Sequence, residues 1–400
     1  MKVLIAGIDG YLGWALARWL VERDEIEVYG VDGLMRREWV EEVGSASAIP
    51  IASLPERVQE LERVSHKSIR FWIGDLRDPS FACEVVSEVE PDAVVHLAEC
   101  PSAPYSMMDA DHCRFVQANN LLTTLNLMFA LVGDGARAHM IKLGTMGEYG
   151  TPGVRIPEGS GWLTHEGESA YMPFPRQAGS WYHWSKVHGS NNLSFAARLS
   201  GLPVTDVMQG IVFGVYPSND DKALLNTRFD VDAVFGTVIH RWCAQAVIGT
   251  PLTVYGAGGQ RRGFIPLEDS LRCLQLLLHN PPEAGEYRVV NQLDDVHRLD
   301  MLVTDIVDAA CQHGLTATIQ HVPNPRLENE DHSYDVTSEI LPSLGYASRN
   351  AMGEDLAAIF RTLMMNAERL QLLEGVLLPD VSWVGGRRAG AAPAEWSVTV

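Results

Sequence analysis

The chain has 400 residues, and its 51 Asp and Glu side chains outnumber its 31 Lys and Arg side chains, which gives a formal net charge of −20. This excess of negative charge argues against nucleic acids and anionic membranes as partners, because both are bound through clustered cations. Hydrophobic residues make up 46% of the chain and charged residues 20%, values that exclude a disordered or fibrous protein. The length predicts two domains, or one α/β unit with a second lobe.

The first elements along the chain follow the order strand, glycine-rich turn, helix, strand. An apolar strand at Val3–Ala6 precedes Gly7–Gly13, a helix follows at Trp14–Glu22, and a second strand at Ile26–Val31 ends in Asp32. Further strands are predicted at 69–73, 93–98, 140–144 and 204–208, with helices at 119–131 and 182–199. This alternation predicts an α/β fold with a Rossmann-like doubly wound parallel sheet, covered by helices on both faces.

The rest of the chain predicts a smaller lobe of mixed α+β structure that binds the substrate. We expect a strand at 264–265 and a helix at 268–278 to return to the first domain. The predicted division is therefore 1–210 with about 263–280 as the dinucleotide-binding domain, and about 211–262 with 281–370 as the second lobe. A helix is expected at 234–248 in that lobe, and residues 375–400, rich in Gly, Ala and Arg, are expected to form a flexible tail.

The cysteine spacing and the lengths of the apolar runs indicate the cellular compartment in which the protein is expected. The six cysteines have no C-x-x-C spacing, which argues against a zinc site or any other metal centre and against a disulfide framework. The apolar run after Met1 and Lys2 is too short for a signal-peptide core. The most apolar stretch, 121–132, is shorter than a membrane span and contains Thr and Asn. We expect a reduced, cytoplasmic protein.

The glycine-rich turn predicts a dinucleotide site. Gly7, Gly10 and Gly13 stand between a strand and a helix, where a pyrophosphate can approach the backbone and the helix N-terminus. A carboxylate at Asp32 would accept hydrogen bonds from the adenosine ribose and repel a 2′-phosphate, so NAD is favoured over NADP. Arg36 and Arg37 follow closely and keep NADP as a minor alternative.

Three residues predict proton transfer coupled to oxidation of an alcohol. Thr145 follows a predicted strand, and Tyr182 and Lys186 lie on one face of one helix at a spacing of four residues. An ammonium beside a phenol lowers the pKa of the phenol, which can then take a proton from a sugar hydroxyl. The full set of predicted cofactor contacts is Gly7, Asp9, Gly10, Tyr11, Leu12, Gly13, Asp32, Arg36, Asp75, Leu76, Leu97, Asn120, Tyr182, Lys186 and Gln209.

These motifs resemble the short-chain dehydrogenase/reductase superfamily in its extended form, which handles nucleotide sugars. Longer runs over residues 1 to about 345 resemble UDP-sulfoquinovose synthases. The runs are 102–107 (SAPYSM), 143–152 (LGTMGEYGTP), 182–183 (YH) with 185–188 (SKVH), 232–237 (DAVFGT), 251–256 (PLTVYG) and 322–326 (VPNPR).

That resemblance implies an NAD-containing enzyme that oxidises C4 of UDP-glucose. The ketone acidifies the C5 proton, water is lost across C5–C6, sulfite adds at C6, and C4 is reduced again. It also implies that Thr145 and Tyr182 contact the C4 hydroxyl, that Lys186 holds the Tyr and the nicotinamide ribose, and that His183 carries protons in the C5/C6 steps.

The resemblance further implies a substrate site that runs from the reacting sugar to the diphosphate. Ordinary 4,6-dehydratases carry Asp-Glu directly after the Thr, whereas this chain has Met146-Gly147, so His183 or Glu148 must move the proton. Arginines are expected on the diphosphate because a guanidinium binds phosphate in a bidentate manner. The predicted substrate contacts are Thr145, Met146, Gly147, Glu148, Gln209, Arg241, Arg262 and Arg326.

One departure from the synthase pattern bears on the product. Before Ser102 those synthases carry Gln-Arg, and this chain has Cys100-Pro101. An Arg there would suit sulfite, and Pro101 brings no charge, so we expect inefficient sulfite incorporation. The alternatives are a 4-epimerase or dehydratase acting on a UDP-, GDP- or dTDP-sugar. A silent NAD- or nucleotide-sugar-binding regulator is the alternative outside the enzymes.

Two apolar helices predict a homodimer. In extended members of the superfamily, the helix before the Thr strand and the Tyr/Lys helix pair with their copies in a second subunit. Both helices carry more apolar surface than one sheet face can cover. The residues concerned are Leu121, Leu122, Leu125, Met128 and Phe129 on the first helix and Trp184, Leu193 and Phe195 on the second.

Overall fold

The computed structural model describes residues 1–23, 25–133, 137–216, 220–326 and 334–378. In this part of the chain the strands are β1 (Lys2–Ala6), β2 (Glu27–Asp32), β3 (Arg70–Ile73), β4 (Ala93–His96), β5 (His139–Leu143), β6 (Ser160–His165), β7 (Glu168–Pro173), β8 (Val204–Gln209), β9 (Ile211–Phe213), β10 (Leu252–Tyr255), β11 (Arg261–Pro266), β12 (Tyr287–Gln292), β13 (Asp295–Arg298) and β14 (Ile319–Val322).

The helices in the same ranges are α1 (Tyr11–Arg23), α2 (Met35–Glu42), α3 (Leu54–Ser65), α4 (Pro79–Val89), α5 (Ala103–Ser106), α6 (Ala110–Gly133), α7 (Trp181–Ser200), α8 (Val238–Ile248), α9 (Leu267–His279), α10 (Leu299–Gln312), α11 (Ile340–Ser343), α12 (Met352–Met365) and α13 (Ala367–Gln371). The predicted tail lies almost wholly outside the described residues.

The main sheet has seven strands within the described residues, in the order β12-β8-β5-β4-β1-β2-β3, and every neighbouring pair is parallel. The inner strands are buried on both faces, and β1 and β4 are accordingly almost continuous apolar runs, whereas β5 also buries His139 and Lys142. Helices α1, α3 and α9 share one hydrophobic core with one face, while α4, α6 and α7 share another with the opposite face. The predicted doubly wound α/β fold is confirmed.

The chain path differs from the predicted division at two strands. The segment Tyr287–Gln292, placed in the second lobe by the prediction, is β12 and pairs with β8 at the edge of the main sheet. The strand expected to return to the first domain is β11, which pairs with β9 and β13 in a separate three-stranded sheet. The partners of both strands are non-local, so periodicity alone does not assign them to a sheet.

The remaining elements form a second layer over the carboxyl ends of the main strands. Helices α8, α10 and α12 pack around one core that includes Trp242 and Phe360. The sheets β9-β11-β13 and β10-β14 lie beside this core. Strands β6 and β7 form an antiparallel hairpin that projects from the molecule and is exposed along nearly its whole length.

Helix α6 is longer than the apolar stretch identified in the sequence. It has 24 residues and, by length and composition alone, is the one helix in the described ranges that could cross a membrane. Half of its most apolar window is buried in the fold, and it packs along α7. A core helix passes the same test, so the feature is weak evidence for a membrane span. The expectation that no stretch reaches that length is corrected here.

Candidate active site

A cleft of about 570 Å³ runs along the carboxyl ends of the main strands. Its wall begins at the glycine-rich turn between β1 and α1 and continues past Thr145 and Tyr182 to Arg262 and Arg326. Open parallel sheets place their ligands at this edge. One cleft therefore connects the predicted dinucleotide site with the predicted diphosphate site.

The glycine-rich turn lets neighbouring backbone segments approach each other closely, because it carries no Cβ atoms at Gly7 and Gly13. Gly7 has φ +92°, and a Cβ on it would lie 2.7 Å from the backbone carbon of Leu97. A Cβ on Gly13 would collide with the carbonyl oxygen of Gly7, so the helix can sit this near to β1 only without a side chain there. The turn, with the first N–H groups of α1 beyond it, fits the pyrophosphate of NAD. Tyr11 and Leu12 line the cleft beside it.

Asp32 organises the end of β2. Its carboxylate accepts hydrogen bonds from the backbone N–H groups of Asp9 (2.8 Å) and Leu34 (2.6 Å). Burial, followed by the nearby charge of Asp9, raises its pKa to about 6. Asp32 faces the cleft next to Gly33, where it meets the predicted ribose site.

Asp9 and Arg36, both predicted cofactor contacts, are engaged by the protein. The fully buried carboxylate of Asp9 forms ion pairs with Arg37 (2.8 Å) and with the fully buried Arg57, so it lies behind the turn rather than in the cleft. Arg36 lines the cleft, but its guanidinium pairs with Asp230 at 2.7 Å and stacks over the ring of Phe235.

Three other predicted cofactor contacts lie off the cleft wall. Asp75 forms an ion pair with Arg77 at 2.7 Å, and Leu76 is buried in the core beside it. Asn120 is fully buried, and its side chain binds both backbone groups of Cys100 and the hydroxyl of Ser185. Asn120 therefore fixes the loop after β4 to α7, whereas Leu97 does line the cleft.

Thr145, Tyr182 and Lys186 meet in the cleft as predicted. Thr145 follows β5 and caps a single 3-10 turn at Met146–Glu148 by accepting the N–H of Gly147. The Lys186 ammonium lies 5.7 Å from the Tyr182 ring centre. It forms an ion pair with Glu99 and donates to the carbonyl of Leu143 at 2.6 Å.

The expected effect of Lys186 on the phenol is not observed. Burial and the nearby carboxylate of Glu99 raise the pKa of Tyr182 well above its usual value. Burial alone would also raise the pKa of Glu99, but Lys186, His96 and Lys142 together lower it. The spacing of Tyr182 and Lys186 predicts their shared face but not the carboxylate that neutralises the lysine.

His183 occupies the space that a side chain at position 147 would need. A Cβ on Gly147 would collide with Nε2 of the imidazole, and Nδ1 lies 2.9 Å from the hydroxyl of Ser180. Burial, with the charges of Arg326 and Arg262, lowers the pKa of His183 to about 3. The ring is therefore neutral at physiological pH and has the protonation state of a base.

Glu148, predicted to contact the substrate, points away from the cleft. Its fully buried carboxylate forms an ion pair with Arg176, lies 3.6 Å from the Lys142 ammonium and accepts the Ser190 hydroxyl at 3.1 Å. Lys142 also contacts Asp206 at 3.4 Å. This network supports the 3-10 turn from behind, which leaves His183 as the predicted proton carrier that faces the cleft.

The far end of the cleft is cationic. Arg241 and Arg326 both lie against the ring of Tyr255, at 5.4 Å and 5.8 Å from its centre, and Arg262 lines the same wall. The Nε of Arg241 is buried and has no hydrogen-bond partner in the described part of the chain. Gln209 also lines the cleft, and its side-chain amide donates to Ser270 and Gln292. An anion at this end would meet up to three guanidinium groups.

Several cleft residues were not identified from the sequence: Glu99, Gln177, Tyr255 and Tyr334. Glu99 carried a usable signal, because a charged residue directly after an apolar strand lies at the ligand edge of a parallel sheet. Tyr255 ends β10, whose place beside the cleft depends on pairing with β14, 67 residues further along the chain. No local pattern reports such a pairing.

Comparison with known proteins identifies the family to which the chain belongs. A model of the NAD-dependent epimerase/dehydratase family matches residues 3–291. The chain is 43% identical to a UDP-sulfoquinovose synthase of Sulfolobus acidocaldarius over 96% of this chain and 98% of that one. It is 39% identical to the chloroplastic UDP-sulfoquinovose synthase of Spinacia oleracea, over 98% of this chain and 80% of that one.

Solved structures support the fold. UDP-glucose 4-epimerase from Thermotoga maritima superimposes with a TM-score of 0.68 at 18% identity, covering 91% of this chain and 99% of that one. UDP-glucuronic acid 4-epimerase from Bacillus cereus, solved with UDP-glucuronic acid and NAD, gives a TM-score of 0.67 at 19% identity. The match covers 91% of this chain and 99% of that one.

The contact between Gly147 and His183 can be tested directly. Gly147→Ala would displace the imidazole, and we expect kcat with a nucleotide sugar to fall by roughly 10²-fold, as for a lost acid–base group. Binding of UDP, measured by calorimetry, should change little. Gly353→Ala is the control, since no atom lies near its Cβ position. An unchanged kcat in Gly147→Ala would show that this glycine does not place His183.

Proposed function

We propose, since this chain belongs to the NAD-dependent epimerase/dehydratase family, that it transiently oxidises C4 of a UDP-linked hexose and eliminates water across C5–C6. The curated relatives that are most informative here are UDP-sulfoquinovose synthases. The observation that carries the proposal is that Thr145, Tyr182, Lys186 and His183 share one cleft between the glycine turn and the arginines.

The residues around C4 transfer the proton of the C4 hydroxyl. Bound NAD supplies the acceptor for the hydrogen that leaves C4. Thr145 and Tyr182 hold the C4 hydroxyl from two sides, and the Tyr182 oxygen exchanges the proton with the C4 oxygen as it becomes a carbonyl and later an alcohol. Lys186 is fixed by Glu99 and the Leu143 carbonyl. It would hold the Tyr182 phenol and the nicotinamide ribose of NAD in position relative to each other.

His183 serves the elimination. A ketone at C4 acidifies the C5 proton, and a neutral imidazole beside the sugar can accept it. His183 is held neutral by burial and by the arginines at the far end of the cleft. The same proton can then leave with the C6 hydroxyl as water, so the step is balanced within the site.

Arg241, Arg262 and Arg326 are proposed to bind the diphosphate. A buried anion needs several cations or N–H donors, and these three groups converge on one wall. The buried Nε of Arg241 supports this assignment, because a buried donor is normally satisfied by a partner. The arginines would also hold the substrate next to His183, whose pKa is lowered by the charges of Arg326 and Arg262.

The last step is where this chain departs from the synthase pattern. Cys100 is fully buried and burial raises the pKa of its thiol to about 12, while Pro101 lines the cleft without a charge. Arg36 is near Cys100, but Asp230 already pairs with its guanidinium. We therefore propose that sulfite adds slowly. The second candidate product is a dehydrated or C4-epimerised sugar nucleotide.

We also propose a homodimer in a cytoplasmic setting. Leu122 and Phe129 on α6 and Phe195 and Leu199 on α7 are exposed apolar side chains, on two helices that pack side by side. Met128 and Leu193, which were expected to contribute, are buried within the subunit. The six cysteines are free, which supports a reducing compartment.

Tyr182→Phe tests the proposed chemistry. The variant keeps the ring and removes the proton-transferring oxygen, so we expect turnover of UDP-glucose to fall by roughly 10²–10⁴-fold. Product mass spectrometry over UDP-, GDP- and dTDP-sugars identifies the substrate. Wild-type turnover in the variant, or no turnover of any nucleotide sugar by the native protein, would contradict the proposal.

Pro101→Arg tests the sulfite step. A guanidinium at this position of the wall would pair with an incoming dianion, and we expect the sulfonated sugar nucleotide to increase by about tenfold or more relative to the native chain. Pro101→Leu is the uncharged control. Efficient sulfonation by the native chain would show that another group holds sulfite.

Light scattering at micromolar concentration tests the assembly. We expect a dimer mass for the native chain and a shift toward monomer in Phe129→Glu with Phe195→Glu, because two carboxylates would be buried unpaired. Trp162→Glu, a change of an exposed aromatic residue on the β6–β7 hairpin, is the control. A monomer mass for the native chain would reject the dimer.

A further inference from the structure

Arg176 lies in the connection between β7 and α7, where this connection packs against the 3-10 turn that follows Thr145. Its guanidinium forms an ion pair with Glu148, the last residue of that turn. It also lies 3.9 Å from the carboxylate of Asp206 on β8, and its central carbon is 5.9 Å from the ring centre of Tyr149. One side chain thus joins two segments that both reach the cleft.

The two segments approach each other too closely for side chains at the contact. A Cβ on Gly150, just beyond the turn, would collide with the carbonyl oxygen of Gln177 in the connection. On α7, His183 fills the space beside Gly147, which lies within the turn. The packing of the turn against the connection therefore sets the position of Thr145 relative to α7.

Arg176 also balances the charge beneath the turn. Glu148 and Asp206 both lie near the Lys142 ammonium, at 3.6 Å and 3.4 Å, and all three side chains are fully buried. Without the arginine, two buried carboxylates would share this one ammonium within the described part of the chain. A Cβ on Gly144 would lie 2.9 Å from Oδ1 of Asp206 and from Oε1 of Glu148. A shift of either carboxylate would therefore move the backbone at the start of the turn.

We propose that Arg176 is a positioning residue of the active site, which holds the turn after Thr145 against the start of α7. The inference rests on the proposed function, in which Thr145 and Tyr182 hold the C4 hydroxyl from two sides and His183 serves the elimination. A small displacement among groups that act together on one reacting centre lowers the rate strongly. The arginines at the far end of the cleft would still bind the nucleotide when Arg176 is lost.

A charge-balanced double variant separates positioning from stability. Arg176→Met alone would leave two buried carboxylates on one ammonium, which is strongly destabilising. Arg176→Met combined with Glu148→Gln removes one cation and one anion, so we expect thermal unfolding near the native temperature. With UDP-glucose, kcat should fall by roughly 10²-fold, because the turn is no longer held against the connection. Binding of UDP, measured by calorimetry, should change little.

The imidazole of His183 gives a second measurement, which needs no nucleotide sugar. The ring lies between the turn and α7, so its nuclear magnetic resonance signal reports how the two segments pack. In protein labelled with isotope-enriched histidine, the signal that is missing from His183→Gln identifies it among the 13 histidines. We expect this signal to shift in the double variant.

A shift of this signal would report packing rather than a lost charge. Burial, followed by the charges of Arg326, Arg262 and Lys186, lowers the pKa of His183, and neither exchanged residue is among these causes. The shift therefore has to come from a changed contact between the ring and its surroundings.

Arg349→Met is the matched control. Arg349 pairs with the buried carboxylate of Asp269 at 3.2 Å, and these two described residues do not line the cleft. Like Arg176, it is an arginine that compensates a buried carboxylate, but it lies away from the turn. The variant should leave both kcat and the His183 signal at their native values.

A native kcat or an unshifted His183 signal in the folded double variant overturns the proposal, because Arg176 would then have no influence on the site. The signal is measured without substrate, so its result is separate from that of the proposed function. A shifted signal in a protein that turns over no nucleotide sugar would support the role of Arg176 and reject the function. An unshifted signal in an active enzyme would do the reverse.

Discussion

Buried ion pairs between distant segments hold the carboxyl edge of the main sheet together. Asp9 is paired with Arg57, Glu99 with Lys186, and Glu148 with Arg176, and all six side chains lie behind or within the cleft wall. Removing one member of such a pair leaves a charge buried without compensation, which is strongly destabilising. The shape of the cleft therefore depends on each charge keeping its partner.

The same pairs also set the chemistry. Asp9 and Asp32 share one corner, and the charge of Asp9 is among the causes that raise the pKa of Asp32 to about 6. Lys186 is fixed by Glu99, and the 3-10 turn after Thr145 is supported by Glu148 from behind. Among the described residues His183 has no carboxylate partner, and burial with the arginine charges keeps it neutral. One neutral base thus lies between the compensated ion pairs and the cationic end of the cleft.

Local sequence patterns predicted the parts of this arrangement that are local. The glycines of the first turn, Asp32, Thr145 and the Tyr182–Lys186 face all follow from spacing within one strand–turn–helix unit or one helix. The partners of these residues did not, because Glu99 is 87 residues from Lys186 and Asp9 is 48 residues from Arg57. For the same reason the edge strand β12 was assigned to the wrong layer, since its partner β8 lies about 80 residues earlier.

The β6–β7 hairpin has a consequence for how the molecule can vary. A two-stranded ribbon without a covered face is marginally stable by itself, and its tight turn at Glu166 and Gly167 is fully in solvent. Its base is nevertheless anchored, because Arg176 just beyond β7 reaches the carboxylate of Glu148, and Gln177 lines the cleft. The ribbon can therefore change in length and composition at little thermodynamic cost, while any change at its base is transmitted to the mouth of the cleft. Substitutions at the base of the ribbon can therefore change how substrates enter the cleft without altering Thr145, Tyr182 or His183.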